Sequence, residues 1–265
     1  MTRFDMDSYL SRIGYAGPLR ADFETLRGIQ LSHLRSVPFE NLDIHLGVPI
    51  ELDIPHLFDK IVNRRRGGYC FEQNTLFACV LREIGFTVTA REARVGPADG
   101  PTRPRSHMTL EVLAEGGAYN VDVGFGGDAA LQPVALDGEG HVEFGREYRL
   151  VDQGGCRVLQ VRRDAAWSDE YVIQPSEPAA IDFEVANWFT STHPTSIFVR
   201  TPTVQLQRPS GQMVLRRRTY TETKDGVETV RELSDAEIVT LLSDVVGLDL
   251  GNDIHRIDFD GQGEA

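Results

Sequence analysis

Near Thr87 the spacing of apolar residues switches from a helical period to strict alternation, and this switch constrains the fold more than any other feature. Before it, Asp5 or Asp7 is placed to cap a short helix through Leu10 and Ile13, which Gly14 stops. Leu19, Phe23, Leu26 and Leu34 mark a second helix that must end before Pro38, because proline disfavours the α conformation in the residue before it. Asp53 and Pro55 open a third, with Leu57, Phe58, Ile61 and Val62 on one side. A fourth starts at Cys70 and carries Phe71, Leu76, Phe77, Val80, Leu81 and Ile84 to Gly85. Residues 1–86 therefore predict a small helical bundle, interrupted by a non-helical stretch, Val-Pro-Phe-Glu-Asn-Leu, at 37–42.

After the switch, Thr87–Val95 alternates as a half-buried strand does. Residues 107–114 and 118–125 flank Glu115-Gly116-Gly117 and predict a hairpin. A second hairpin is expected at Gln153-Gly154-Gly155, with arms Tyr148–Val151 and Cys156–Val161, and Tyr171–Ile173 adds a short strand. Consecutive short strands over 87–190 point to an antiparallel sheet or small barrel. The stretch Ile181–Pro194 reads as a connecting helix. Over 191–265 a meander follows, Thr203–Gln207, Met213–Thr221 and Val227–Glu232, with turns at Pro209-Ser-Gly and Lys224-Asp-Gly. Ser234-Asp-Ala-Glu237 is a capping box for a helix through Leu241, Leu242 and Val245, ended by Gly247. Asp258–Ala265 is expected to fray. The fold class is α+β.

A formal charge of −13 on 265 residues argues against nucleic acid or an anionic membrane as the main partner. It leaves an anionic small molecule open, since a local site can oppose the global charge. Cys70, Cys79 and Cys156 are an odd number without metal-ligand spacing, which fits free thiols in a reducing compartment and predicts no metal. Cys79 falls well inside the fourth helix and reads as core. The N-terminus has no apolar signal region and no run approaches a membrane span, so the expected setting is cytoplasmic. Only Lys60 and Lys224 are lysines, a bias that reads as a coding habit.

The chemistry is expected around Arg-Arg-Gly-Gly-Tyr-Cys-Phe-Glu-Gln-Asn, residues 65–74. A thiol at a helix N-terminus sits at the positive end of the dipole, which favours thiolate over thiol. The two glycines are expected to clear space beside its sulfur. His107 opens the first strand of the 107–125 hairpin, and Asp122 lies near the end of the partner strand. The turn brings them within a few residues of opposition, so their side chains can meet on one face. A carboxylate there would fix one tautomer of the imidazole and leave the other nitrogen for a thiol. Residue types alone leave two readings open, a nucleophile with its base and orienting acid or a set of structural residues. His33, His45, His56, His141, His193 and His255 have no such partner context and read as structural.

Five motifs decide between these readings. Tyr9-Leu-Ser-Arg-Ile-Gly-Tyr15, Val37-Pro-Phe-Glu-Asn-Leu42, Arg66-Gly-Gly-Tyr-Cys-Phe-Glu72, Ser106-His107 and Val121-Asp-Val-Gly-Phe-Gly-Gly127 resemble, in order and spacing, the arylamine N-acetyltransferases. After about residue 200 only the general pattern matches. The resemblance implies a helical bundle (1–86), a central antiparallel β-barrel (87–190) and a connecting segment with an α/β lid (191–265), around a cysteine-protease-like, transglutaminase-like catalytic core. It implies Cys70 as nucleophile, His107 as base and Asp122 as orienting acid. The implied reaction is ping-pong: acetyl-CoA acylates the cysteine, and an arylamine, arylhydrazine or arylhydroxylamine takes the acetyl group, a chemistry of xenobiotic metabolism. Phe39, Tyr69, Phe125 and Phe198 resemble the family's pocket lining. Gly126 and Gly127, in the turn Gly124–Gly127, resemble the glycine-rich turn near the CoA pyrophosphate. Glu40 and Arg66 resemble a charged pair supporting the cysteine loop. Some family members are instead amide synthases that close a macrolactam from a carrier-bound thioester. A cysteine hydrolase or transglutaminase-like enzyme and a non-catalytic binding protein are the other readings. Oligomeric state is left open.

Overall fold

The computed structural model describes residues 4–261 apart from 129, 139, 144, 145, 164 and 249, and its first helices start where capping carboxylates stand. Asp5 accepts from the backbone N–H groups of Asp7 and Ser8 and caps Met6–Ile13, which Gly14 closes at φ 66°. Asp22 accepts from Thr25 N–H at 2.8 Å and caps Phe23–Ser36. This cap starts the second helix at Phe23 and leaves Leu19 outside it, exposed to solvent. Asp53 caps Ile54–Phe58, which widens into a π-type turn at Asp59–Asn63. The helix Cys70–Ile84 is the longest of the set and ends at Gly85.

Residues 37–42 are largely extended, but their partner is remote. Phe39–Glu40 is the edge strand of a five-stranded antiparallel sheet and pairs with Thr203–Arg208, Phe39 opposite Gln205. The sheet continues through Gly211–Arg216, Thr219–Lys224 and Val227–Glu232. The stretch expected as one strand from Met213 to Thr221 is therefore two. Arg217 turns the chain between them at φ 53°, without the glycine or asparagine that signals such a turn.

The second sheet has eight antiparallel strands in the spatial order Val134–Ala135, Gly117–Val121, His107–Ala114, Thr87–Val95, Ala166–Ile173, Cys156–Arg163, Arg146–Gln153 and His141–Glu143. Its first strand curls into contact with Arg146–Gln153, so the sheet is a nearly closed barrel. The hairpin around Gly116 has Leu110 opposite Val121, which places Thr109 across from position 122 and His107 diagonal to it on the same face. The strand expected to reach residue 125 stops at Val121, and Asp122–Gly127 is an irregular turn.

Among the described residues, apolar side chains gather into three clusters. One joins the N-terminal helices to Met108, Leu110, Val112, Val121 and Val123. A second fills the barrel around Tyr148, Leu159 and Tyr171. The third lies between the five-stranded sheet and the C-terminal helix Asp235–Thr240, with Leu42 and Leu46 beside Val204, Leu241, Leu242 and Phe259. That last residue corrects an expectation: 258–261 do not fray. Phe259 is 6% exposed, and the Asp260 carboxylate accepts from Arg218. Residues 262–265 lie outside the described residues. Cys79, read from the sequence as core, is only half-buried. No helix among the described residues is long and apolar enough to cross a membrane.

Phe259→Ala is expected to cost about 3 kcal/mol, the low end for emptying a buried aromatic site. An unchanged urea midpoint would mean that the C-terminal strap does not pack.

Candidate active site

The helix that presents Cys70 is fixed from below by ions. Tyr69 is extended at its N-terminus, and Glu72, at the third helical position, accepts the Tyr69 N–H at 3.1 Å. The other Glu72 oxygen lies 2.6 Å from Lys60 Nζ, which also reaches Asp43 at 2.7 Å. Arg66 bridges Asp43 and Glu40, both at 2.8 Å. Glu40 further accepts the N–H groups of Gly67 and Leu42. All five side chains are buried. Three carboxylates face two cations, so one carboxylate is easier to protonate: burial first, with Glu40 and Asp43 nearby, pushes Glu72 up to about 7 against the pull of Lys60. The expected Glu40–Arg66 pair is thus part of a larger network. Lys60, one of only two lysines, is at its centre.

The glycines before the cysteine serve this packing and not the sulfur. A Cβ on Gly67 would overlap the Pro38 carbonyl, and one on Gly68 would strike Glu72. The glycine that borders the Cys70 backbone is Gly124, where a Cβ would lie 2.5 Å from Cys70 Cα.

Cys70, His107 and Asp122 come together as expected, at 3%, 2% and 5% exposure. The His107 imidazole Nε2 lies 2.6 Å from Asp122 Oδ2. Cys70 is close enough to the same ring to favour its protonated form. The thiol lies 3.7 Å from the Ser106 carbonyl oxygen. Asp122 is itself held: its Oδ1 accepts from Asn74 Nδ2 and from Gly124 N–H, both at 2.9 Å. Burial disfavours charge on His107, but the Asp122 carboxylate, the bond to it, and Cys70 outweigh burial and raise the imidazole to about 10. The ring is an imidazolium at neutral pH.

Two residues at this centre have no role in the sequence reading. Asn74 sits one helical turn after Cys70 and also donates to the Met108 carbonyl and accepts from Val123 N–H, tying helix to barrel. Its signal was a polar side chain on the helix's inward face. Tyr171 packs its ring 4.8 Å from His107 and 5.2 Å from Phe125, its phenol oxygen accepting from Asn120 at 2.7 Å. His33 also has partners. Tyr9 donates to its Nδ1, and its Nε2 donates to Gln73, whose amide donates to the Gly68 carbonyl. Burial pulls His33 down to about 3, so it is a neutral link under the cysteine loop.

The four aromatic candidates divide into two groups. Phe125 stands edge-on to His107 at 5.2 Å. Phe198 lies 5.9 Å from Phe39 and 5.5 Å from Tyr69. Tyr69 is fully buried, its hydroxyl donating to Asn187. Gly126 is pressed against Phe39, where a Cβ would meet the ring at 2.6 Å. Gly127 lines a cleft of about 570 Å³ between barrel and five-stranded sheet, with Arg163, Gln205 and Arg216. Gln205 donates to the Gly127 carbonyl at 2.8 Å, and its own carbonyl oxygen is buried without a hydrogen-bond partner among the described residues. A wider cleft of about 830 Å³ lies behind the cysteine helix and reaches Thr75 and Met108, beside the triad and not over it. The one group of three metal-type donors among the described residues, Glu51, Asp53 and His56, is on the surface.

Thiol, imidazole and carboxylate in series are the equipment of thiol-dependent acyl transfer. The sequence model of a family described as N-acetyltransferase matches residues 22–255. The arylamine N-acetyltransferase of Mycolicibacterium smegmatis is 39% identical over 257 residues, 94% of this chain and 93% of that one. The solved arylamine N-acetyltransferase of Mycobacterium tuberculosis superposes with a TM-score of 0.90 at 36% identity, over 96% of this chain and 100% of that one. The Mycobacterium marinum enzyme, solved in complex with CoA, gives 0.90 at 35% identity, over 96% and 97%. This chain belongs to the arylamine N-acetyltransferase family.

His107 is ordinarily near 6.5 and is raised to about 10 here, so its contribution to stability is fully present below pH about 6.5 and is lost as pH rises through about 10. Asp122→Asn removes the main cause of the rise. The gap in unfolding free energy between wild type and Asp122→Asn should therefore narrow between those pH values; a gap constant from pH 6 to 10 would contradict the ion pair.

Proposed function

We propose that this chain is an acetyl-CoA-dependent arylamine N-acetyltransferase working through an acetyl-Cys70 thioester. The observation that carries the reading is the 2.6 Å His107–Asp122 contact with Cys70 close enough to the same ring to raise it, inside a chain of this family. In the first half-reaction Cys70 attacks the thioester carbonyl of acetyl-CoA as a thiolate, its proton already resting on His107. The carbon–sulfur bond to CoA breaks, and the imidazolium gives its proton to the departing sulfur. In the second, the neutral arylamine nitrogen attacks acetyl-Cys70, His107 takes the amine proton, and the Cys70 sulfur leaves. Asp122 orients the ring and offsets its charge throughout, and Asn74 positions Asp122.

Phe125, edge-on to His107, and the Phe39–Phe198 pair are read as the walls that receive the aryl ring. Tyr69, whose hydroxyl is committed to Asn187, supports that wall from behind. The CoA moiety is assigned to the cleft at Gly127, on the side of Gly126, where Arg216 can face phosphate while Arg163 is paired with Asp128 and Glu170. Glu40 and Arg66 are read as supports of the cysteine loop. The substrates are aromatic amines or hydrazines, and a cytoplasmic setting suits the free thiols. Macrolactam closure is not favoured, because the matched relatives are arylamine N-acetyltransferases.

Steady-state rates at several fixed acetyl-CoA concentrations should give parallel double-reciprocal lines against an arylamine such as 4-aminobenzoate. Asp122→Asn should lower kcat by on the order of 10²–10⁴, as loss of the orienting carboxylate does in other triads. Intersecting lines, or an Asp122→Asn variant as fast as wild type, would refute the assignment.

A further inference from the structure

We propose that the groove between the helices Cys70–Ile84 and Ala180–Thr192 is a second small-molecule site, one that takes a protonated apolar amine. Its volume of about 830 Å³ is within the range of sites for drug-sized ligands. Ala78, Val88, Met108 and Phe183, all buried, form its floor, and Trp188, 65% exposed, stands at its edge. An indole left this open gives an incoming cation a π face.

The rim supplies the charge. Glu51, Asp53, Glu177 and Glu184 line the groove, and Arg82 is the one basic residue among its walls. The Arg82 guanidinium is engaged with the Val88 carbonyl at 2.9 Å. From outside, Arg91 faces Glu177 at 3.6 Å, and His56 faces Glu51 and Asp53 at 3.2 and 2.6 Å. Glu184 has no ion pair among the described residues. With every one of these partners charged, the rim still carries more negative than positive groups. Apolar floor, open indole and acidic rim together match an alkyl or aralkyl ammonium, whose tail leaves water while its charge stays at the edge.

This chemistry differs from that proposed for the acceptor. A weakly basic arylamine is neutral at physiological pH and offers the rim nothing, whereas an alkylammonium cannot act as a nucleophile until it loses a proton. The two sites are also physically separate: Thr75 Oγ1 and Met108 Sδ, 3.6 Å apart, close the groove on the side of the triad. Two residues of the groove touch the neighbourhood of the other site: Asn187, which accepts the Tyr69 hydroxyl next to Cys70, and Met108, whose carbonyl accepts from the Asn74 that holds Asp122.

The chain has two tryptophans, so their indole N–H signals report the test directly, with Trp167→Phe assigning them. Titration with 2-phenylethylammonium chloride at constant ionic strength should shift the Trp188 signal saturably and leave Trp167, which stacks against Arg149, in place. The neutral analogue 2-phenylethanol should bind several-fold more weakly. Glu184→Gln should weaken the ammonium by roughly two- to fivefold, the scale of an exposed ion pair, without changing the alcohol. Cys70→Ala should bind both as wild type does. No saturable Trp188 shift, equal affinity for ammonium and alcohol, or loss of binding in Cys70→Ala would each overturn the proposal. None of these results depends on whether acetyl transfer occurs.

Discussion

The buried ion network under the cysteine loop is the constraint on which the rest of the site depends. Lys60 and Arg66 each hold two carboxylates from different segments, so the edge strand at 39–40, the π-type turn at 59–63 and the first turn of the cysteine helix are locked together. Taking such charges out of water is costly, and losing one partner of a buried pair costs about 3–5 kcal/mol. That cost is a reason to find the network where one backbone geometry must be favoured over its neighbours. Side-chain hydrogen bonds to backbone carbonyls support the same loop. Arg12 donates to the carbonyls of Ser36, Ile61, Arg65 and Arg66, and Gln73 donates to that of Gly68.

Above this base the proposed catalytic residues are assembled across the helix–barrel boundary. Cys70 comes from the helix, His107 from a strand start and Asp122 from just past the end of the neighbouring strand. Asn74 closes the arrangement, bonding Asp122, Met108 and Val123 from one side chain. The edge strand that carries Phe39 belongs to the C-terminal sheet, so one short segment connects the aromatic wall, the ion network and the cleft at Gly127.

What was legible in the sequence was local. Capping carboxylates, stop glycines and the change of period near Thr87 mark most helix and strand positions, because each acts within a few residues. The proposed triad was legible in part for the same reason, since a hairpin register relates His107 to Asp122 and a helix start singles out Cys70, but the five motifs and the resemblance they carry decided against a structural set. Pairings over longer distance were not. Nothing at Lys60 announces Glu72 or Asp43, and nothing at Phe39 announces Gln205. The turn at Arg217 carries no turn residue and is held instead by its surroundings, Arg217 donating to the Arg200 carbonyl and Arg218 to Asp235 and Asp260. Gly67 and Gly68 were noticed for the right loop and the wrong neighbour, since only the fold shows which atoms fill the space a Cβ would take.

The central claim is that Cys70 carries the acetyl group between donor and acceptor. Intact mass of the purified protein after brief exposure to acetyl-CoA tests it most directly. The account predicts a single acetyl group on wild type, none on Cys70→Ala, and return to the unmodified mass when an arylamine is added. An unmodified wild type whose Cys70 still reacts with iodoacetamide, or an acetyl group that survives the amine, would contradict it.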